Sequence, residues 1–186
     1  MNRLISLLLV VIVLTGCSAN TNGINDVVTL RNNLQNSSGC SFDVSVTTDY
    51  GDSLSSFALS CNYDKQQNLE ITVLKPETIS NIKCKISGEK GQLTFDEEVV
   101  VFEMIADGQI TPISTPWLLM KALSGAYINA TANEKEGMLV RLDDSFNGTL
   151  YSVDLWLDEN DVPKLAEIIW EGKRIVSMTI SNFKIL

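Results

Sequence analysis

The chain has 186 residues, with 14 basic and 23 acidic side chains and a formal net charge of -9. This length fits one domain, and the acidic balance argues against a nucleic-acid binder, because neutralising phosphates needs clustered Lys and Arg. The chain contains no histidine, which excludes a Ser-His-Asp triad, a Cys-His dyad and any His-ligated metal. We find no catalytic constellation to assign and expect a cofactor-free protein that is not an enzyme.

The first segment has the pattern of a secretory signal. Arg3 precedes an apolar stretch over 4–14, which is too short to span a bilayer comfortably. Residues 14–17 (LTGC) then place small residues directly before Cys17, which resembles the lipobox of bacterial lipoproteins. That resemblance implies a signal peptide over 1–16 and a diacylglyceryl group on Cys17. The alternative is an ordinary signal with a coincidental cysteine.

The mature chain would consist of a lipidated polar tether over 17–23 and a single domain over 24–186. No second apolar run of about 18 residues follows, so the sequence predicts no transmembrane helix. We expect the protein to be a monomer. The acyl chains on Cys17 would attach it to the extracytoplasmic face of the cell membrane, or to an outer membrane if the organism has one.

Downstream of the tether, the patterning predicts a mainly antiparallel sheet interrupted by one helix. Apolar residues at helical spacing predict a first helix over 24–35, and Glu171-Gly172 is typical of a tight hairpin turn. Alternating residues and β-branched runs predict strands over 40–48, 54–63, 69–75, 81–87, 92–96, 99–105, 138–143, 149–157, 164–170 and 174–183. We therefore expect an α+β domain, mainly antiparallel β, in which helices cover a curled sheet.

The segment after residue 114 changes character. Thr115 and Pro116 suit the start of a helix, and Gly125 suits its end. Between them Lys121 is the only charged residue, so the helix must be buried or must cover an apolar cavity. The candidate cavity residues are Trp117, Leu118, Leu119, Met120 and Leu123. The alternative is plain core packing of the same side chains.

Three cysteines remain beyond Cys17, in a compartment where disulfides persist. Alternating residues on both sides of 49–52 predict a hairpin. A two-residue loop at its centre sets the register so that Cys40 lies opposite Cys61. We therefore predict a Cys40–Cys61 disulfide, with small buried thiols as the alternative. Cys84 shares a strand face with two isoleucines and is predicted to be an unreactive core residue.

Three acidic spots offer carboxylates that might suit a cation, namely Glu97-Glu98, Asp143-Asp144 and 158–161 (DEND). They fall at predicted strand ends or turns, where solvated acids are common. The last one lacks the spacing and the glycine of an EF-hand loop. We therefore predict no metal site.

Six short segments stand out together, namely 73–79 (VLKPETI), 91–96 (GQLTFD), 106–108 (ADG), 112–119 (PISTPWLL), 156–158 (WLD) with Pro163, and 180–183 (ISNF). Taken together, they resemble the LolA-like lipoproteins, relatives of the periplasmic lipoprotein carrier and of the outer-membrane lipoprotein receptor. The resemblance covers about residues 24–186. It implies an incomplete antiparallel barrel with helices plugging the open side and an apolar cavity for acyl chains. It supplies no catalytic residue.

The soluble carrier of that group is not itself lipidated, whereas this chain has a lipobox and looks more like the membrane-anchored members. The resemblance therefore implies a protein that binds an acyl chain, a lipid or a lipoprotein while attached to a membrane. The alternative is a non-enzymatic envelope sensor or protein-interaction module on the same fold.

Overall fold

A computed structural model describes residues 21–49, 54–88, 90–95, 98–106 and 109–186. The predicted signal peptide over 1–16 and Cys17 lie outside the described residues. Helix α1 spans Thr21–Asn36, so residues 21–23, which the sequence placed in the tether, are helical. A second helix, α2, spans Thr115–Gly125. No described helix is both long enough and apolar enough to cross a membrane.

Thirteen described strands follow one another along the chain, eleven of them in one antiparallel sheet. Their bounds are β1 (Gly39–Asp49), β2 (Leu54–Asp64), β3 (Leu69–Lys75), β4 (Lys83–Ser87), β5 (Lys90–Phe95), β6 (Glu98–Glu103), β7 (Ile105–Ala106), β8 (Gln109–Ile110), β9 (Tyr127–Glu134), β10 (Gly137–Phe146), β11 (Thr149–Leu157), β12 (Pro163–Trp170) and β13 (Lys173–Ile185). Strands β7 and β8 pair only with each other among the described strands.

The order of strands across the large sheet is β6-β5-β4-β3-β2-β1-β13-β12-β11-β10-β9. Within the described residues, β6 and β9 are its two free edges, so the sheet does not close into a barrel. The predicted fold class, an incomplete curled barrel with helices, is confirmed.

One face of the sheet carries the core, because successive side chains of a strand point to opposite sides. On β1, for example, Phe42, Val44 and Val46 are buried, whereas Ser45 is exposed. Helix α1 adds Val27, Leu30 and Leu34 to the same core. It packs against α2, β1, β9 and β10, whereas α2 packs against β10 and β12. Both helices therefore cover the concave side of the sheet.

The register of the first hairpin differs from the prediction. Asp49 pairs with Leu54, so the connecting loop has four residues rather than two. The shift places Cys40 opposite Tyr63 and Phe42 opposite Cys61. The predicted register, which placed Cys40 directly opposite Cys61, is therefore wrong. Both are buried free thiols in the structure, and the register no longer supports a disulfide between them.

Other local predictions agree with the structure. Trp170 pairs with Lys173 across Glu171-Gly172, whose φ angles of 49° and 78° fit a tight two-residue hairpin turn. Cys84 is buried, as its place between two isoleucines predicts.

Candidate functional site on the concave face

A short 3-10 turn over Pro112–Ser114 directly precedes helix α2. The Thr115 hydroxyl donates to the Pro112 carbonyl oxygen at 2.8 Å, and the Ser114 hydroxyl donates to the Met104 carbonyl oxygen at 3.1 Å. Pro116 occupies the first turn, where its missing N–H costs no intrahelical hydrogen bond. The start of the helix is thereby attached to the segment that follows β6.

The five predicted cavity residues lie together in the core. Their side chains are between 1% and 3% exposed, because α2 has the sheet on one side and α1 on the other. This explains why the helix tolerates apolar residues nearly all round. The residues concerned are Trp117, Leu118, Leu119, Met120 and Leu123.

A polar contact fixes α2 near its N-terminal end. The Trp117 indole Nε1 donates to the Gln67 carbonyl oxygen at 3.0 Å, in the turn between β2 and β3. The Trp117 ring also meets Phe146 edge-on, with ring centroids 5.9 Å apart. The indole therefore connects the helix to both halves of the sheet.

A second contact holds the middle of α2. Lys121 forms an ion pair with Asp144 on β10, and the Tyr151 hydroxyl donates to the same carboxylate at 3.2 Å. Burial, followed by the nearby Asp144 charge, raises the pKa of Tyr151 well above its usual range. Tyr151 is therefore a neutral hydrogen-bond donor. The single charge of the helix is neutralised where it meets the sheet.

A third contact caps the C-terminal end of α2. The Arg31 guanidinium of α1 donates to the carbonyl oxygens of Leu123 at 2.7 Å and Ala122 at 3.2 Å. It also donates to that of Ala126 at 2.6 Å. Carbonyls in the last turn of a helix generally lack intrahelical partners; Leu123 lies in that turn, whereas the Ala122 carbonyl also accepts the Ala126 N–H at 2.9 Å. The sequence placed Arg31 in the first helix but gave it no role, although an arginine amid apolar positions at helical spacing is a signal of a buried acceptor.

Three of the pockets formed by described residues are not lined by any of the five predicted cavity residues. One of about 140 Å³ lies beside the end of α2 and includes Tyr63 and Ser124. One of about 230 Å³ lies between α1 and β13, and one of about 270 Å³ lies on the polar face of β2 to β5. Small-molecule sites usually measure roughly 300–1,000 Å³, so none of the three holds a whole acyl chain.

The three described cysteines do not form a reactive site. Burial raises the pKa of Cys40 and of Cys84 to about 12. Burial, followed by the charge of Asp43, raises that of Cys61 well above its usual value. The thiolate is the nucleophilic form, so all three behave as apolar core residues.

In two of the three acidic spots, the carboxylates of Asp143, Asp144 and Asp158 have structural partners. Asp143 accepts hydrogen bonds from Ser152 at 2.7 Å and from Asn129, and Asp144 binds Lys121. Asp158 accepts the N–H groups of Asn160 and Val162 at 2.8 and 3.0 Å, which organises its turn. No group of three or more His, Cys, Asp or Glu side chains among the described residues is arranged to hold a metal ion.

No protein-family model and no curated protein sequence matches the chain. Similar solved structures include a LolA superfamily protein from Nitrosomonas europaea, 10% identical, covering 86% of this chain and 93% of that one, with a TM-score of 0.45. A putative outer membrane lipoprotein-sorting protein domain from Vibrio parahaemolyticus is 8% identical, covering 86% and 91%, with a TM-score of 0.47.

LprF from Mycobacterium bovis is 12% identical, covering 90% of this chain and 95% of that one, with a TM-score of 0.46. At these identities the likeness concerns the fold alone. LolA-like proteins, which the sequence resembles, are among the solved structures similar to this chain.

Proposed function

We propose that the mature chain is a lipid-anchored, extracytoplasmic binding module that takes an apolar ligand, such as an acyl chain, between α2 and the concave face of the sheet. It is a binding protein and not an enzyme. The observation that carries the proposal is the position of an almost wholly apolar helix inside an open, curved sheet. The membrane is its first partner, through the diacylglyceryl group on Cys17.

The helix is attached at its rim by a few polar contacts and otherwise rests on apolar surface. These contacts involve Trp117, Lys121 and Arg31. Hydrogen bonds of this kind contribute about 1–3 kcal/mol each. An acyl chain gains about 0.8 kcal/mol for each methylene that leaves water, so a chain of about 12 methylenes exceeds their sum. Displacement of α2 by an acyl chain is therefore energetically reasonable, since the ligand covers the apolar surface that the helix leaves.

The entrance follows from the same contacts. Pro112, Pro116 and Gly125 bracket the helix and are its expected hinges. The C-terminal end is linked to α1 mainly by Arg31, with one longer hydrogen bond from the Gln35 amide to the Ser124 carbonyl oxygen at 3.5 Å. We therefore expect that end to open first. The free energy needed to open it should lower the apparent affinity for ligand, because only the open state binds.

The alternative is an envelope sensor or protein-interaction module on the same fold. The close packing of the helix favours it, because Leu118 and Met120 are each only 1% exposed. In that case the concave face is a filled core and takes up no lipid.

The test is a titration of the full-length protein in nanodiscs with dansyl-labelled undecanoic acid. We expect saturable binding to the wild type and several-fold tighter binding to Arg31→Met, because the closed state loses its cap. Arg174→Met is the matched control, since Arg174 lies on the surface and pairs with Glu167; its affinity should equal that of the wild type. Absence of saturable binding in all three proteins would favour the interaction module.

A further inference from the structure

The edge strand β6 presents apolar side chains to solvent on both of its faces. Val99, Val100 and Val101 are 57%, 58% and 62% exposed. Val100 lies in the same cross-sheet row as the buried Cys84, whereas Val99 and Val101 point to the opposite face. Three consecutive exposed valines are unusual on an edge strand, because they leave apolar surface in contact with water on both faces of the sheet.

The outer side of β6 is open to another strand. In the described sheet, β6 pairs with β5 alone, and the register runs unbroken from Lys90 opposite Glu103 to Phe95 opposite Glu98. Natural edges are usually blunted by a bulge, a proline or a lysine. None of these occurs between Glu98 and Glu103. The strand is therefore a regular, β-branched template whose outward backbone groups can pair with an added strand.

The charges at the two ends of β6 indicate what the added strand must carry. Glu98 and Glu103 are exposed, and neither takes part in the four ion pairs between described residues. Asp96 and Glu97 directly precede Glu98 in the sequence. An apolar centre is thus flanked by a glutamate at each end; Lys90 of β5 lies opposite Glu103 in the register, but none of those four ion pairs joins the two.

The same charges disfavour a second copy of this chain. A centred antiparallel pairing of two β6 strands places Glu98 opposite Glu103 at both ends, and like charges opposite each other are destabilising. A centred parallel pairing brings each glutamate beside itself. The net charge of -9 adds a general repulsion between copies.

We propose that β6 is a docking edge for an extended segment of a partner protein, in which a short apolar, β-branched core is flanked on both sides by Lys or Arg. The segment adds to the sheet beside β6, its backbone pairs with the open edge, and its basic residues meet Glu98 and Glu103. This interaction is separate from the ligand site, because it uses no residue of α2.

The proposal is tested with two fluorescent peptides that share a core of alternating valine and threonine. One peptide has two lysines at each end and the other has two glutamates. Anisotropy is measured with the full-length protein in phosphatidylcholine nanodiscs, and empty nanodiscs measure binding to the lipid. We expect the lysine peptide to bind at least tenfold more tightly than the glutamate peptide, with a preference that weakens in high salt. Hydrogen exchange should slow at the β6 amides when the lysine peptide is bound.

Two variants of β6 and one control locate the contact. The Glu98→Lys/Glu103→Lys protein should prefer the glutamate peptide, and Val99→Thr/Val101→Thr should bind the lysine peptide several-fold more weakly. Leu150→Thr is the control, because Leu150 is 76% exposed but lies on β11, away from the edge; its affinity should not change. Threonine keeps a high strand propensity, so the valine variants are expected to fold.

Equal affinity of the wild type for the two peptides would overturn the proposal, and so would no binding of the lysine peptide. A homodimer that the valine substitutions dissociate would assign the edge to a second copy instead. If the charge-reversed protein does not fold, Glu98→Gln/Glu103→Gln takes its place. That variant should lose the preference between the peptides, and a preserved preference would contradict the role of the two carboxylates.

Discussion

Arg31 of α1 donates a hydrogen bond from Nη2 to the carbonyl oxygen of Ala126, just beyond α2, at 2.6 Å. The same guanidinium reaches the last turn of the helix, where carbonyl groups lack intrahelical partners and a positive charge is favourable. One side chain thus caps α2 and joins it to α1. Arg31 donates three hydrogen bonds at this end, whereas Gln35 of α1 donates one, to the Ser124 carbonyl oxygen at 3.5 Å.

Arg31→Met should lower the free energy of unfolding by about 2 kcal/mol, because hydrogen bonds from a charged group contribute about 1.5–3 kcal/mol. Urea denaturation measures the change. Arg174→Met should change stability by less than about 0.5 kcal/mol, since exposed ion pairs contribute little. Equal effects of the two substitutions would show that Arg31 is not a structural cap.

Thr48 carries a hydroxyl that is wholly buried and has no hydrogen-bond partner among the described residues. Thr48→Val removes that hydroxyl and keeps the shape of the side chain. It should raise the free energy of unfolding by about 1 kcal/mol, because the cost of burying an unpaired polar group disappears. Thr48→Ser keeps the hydroxyl, loses a methyl group and should be destabilising. A less stable valine variant would mean that the hydroxyl has a partner.

Alkaline pH should destabilise the fold. The pKa of Cys40 and of Cys84 is raised by burial to about 12, from an ordinary value of 9.0. The native state then binds more protons than the unfolded state between these values, so stability is complete below pH 9 and falls as pH rises toward 12. Each thiol contributes a slope of up to about 1.4 kcal/mol per pH unit.

Urea denaturation of Cys84→Ala across the same pH range isolates one thiol, because the two proteins are identical at every other residue. The variant should lose stability less steeply than the wild type above pH 9. Parallel pH profiles would indicate that Cys84 is not titrating from a buried position.

The anchor is a prediction from the sequence and has a direct test. Cells grown with an alkyne analogue of palmitate should label the wild-type protein, because the lipobox directs acyl chains to Cys17. Cys17→Ala should lose the label, and Cys84→Ala should keep it. Label that persists in Cys17→Ala would place the lipid elsewhere and remove the lipoprotein assignment.

Period-2 patterning predicted most of the strands, because the concave face is buried along nearly the whole sheet. Strand β9 was missed for the same physical reason. Most of its side chains are exposed on both faces, so an edge strand of this kind has no apolar alternation to recognise. The two-residue error in the first hairpin arose because the length of the 50–53 loop cannot be read from strand patterning, which fixes the face of each residue but not its partner.

The candidate site was predictable as far as its apolar content. A helix with one charge, Lys121, predicts burial, and the structure places it in the core. Arg31 signals that a buried acceptor exists, but the partners of the attachments were not predictable, because they depend on long-range contacts. Gln67 offers only a backbone carbonyl to Trp117, which leaves no mark on the sequence, and the acceptors of Arg31 are also carbonyls. Contacts of this kind join residues far apart in the sequence, and they form only when the fold brings those segments together.

The central claim, an acyl site beneath α2, is tested most directly by photo-crosslinking. A diazirine-bearing palmitic acid is bound to the full-length protein, irradiated, and its attachment sites are mapped by peptide mass spectrometry. We expect attachment within α2, at Trp117 to Leu123, and on facing strand residues such as Leu142 and Ile168. Attachment confined to exposed positions such as the β6 valines would contradict the acyl site beneath α2. So would attachment that an excess of unlabelled palmitic acid does not reduce.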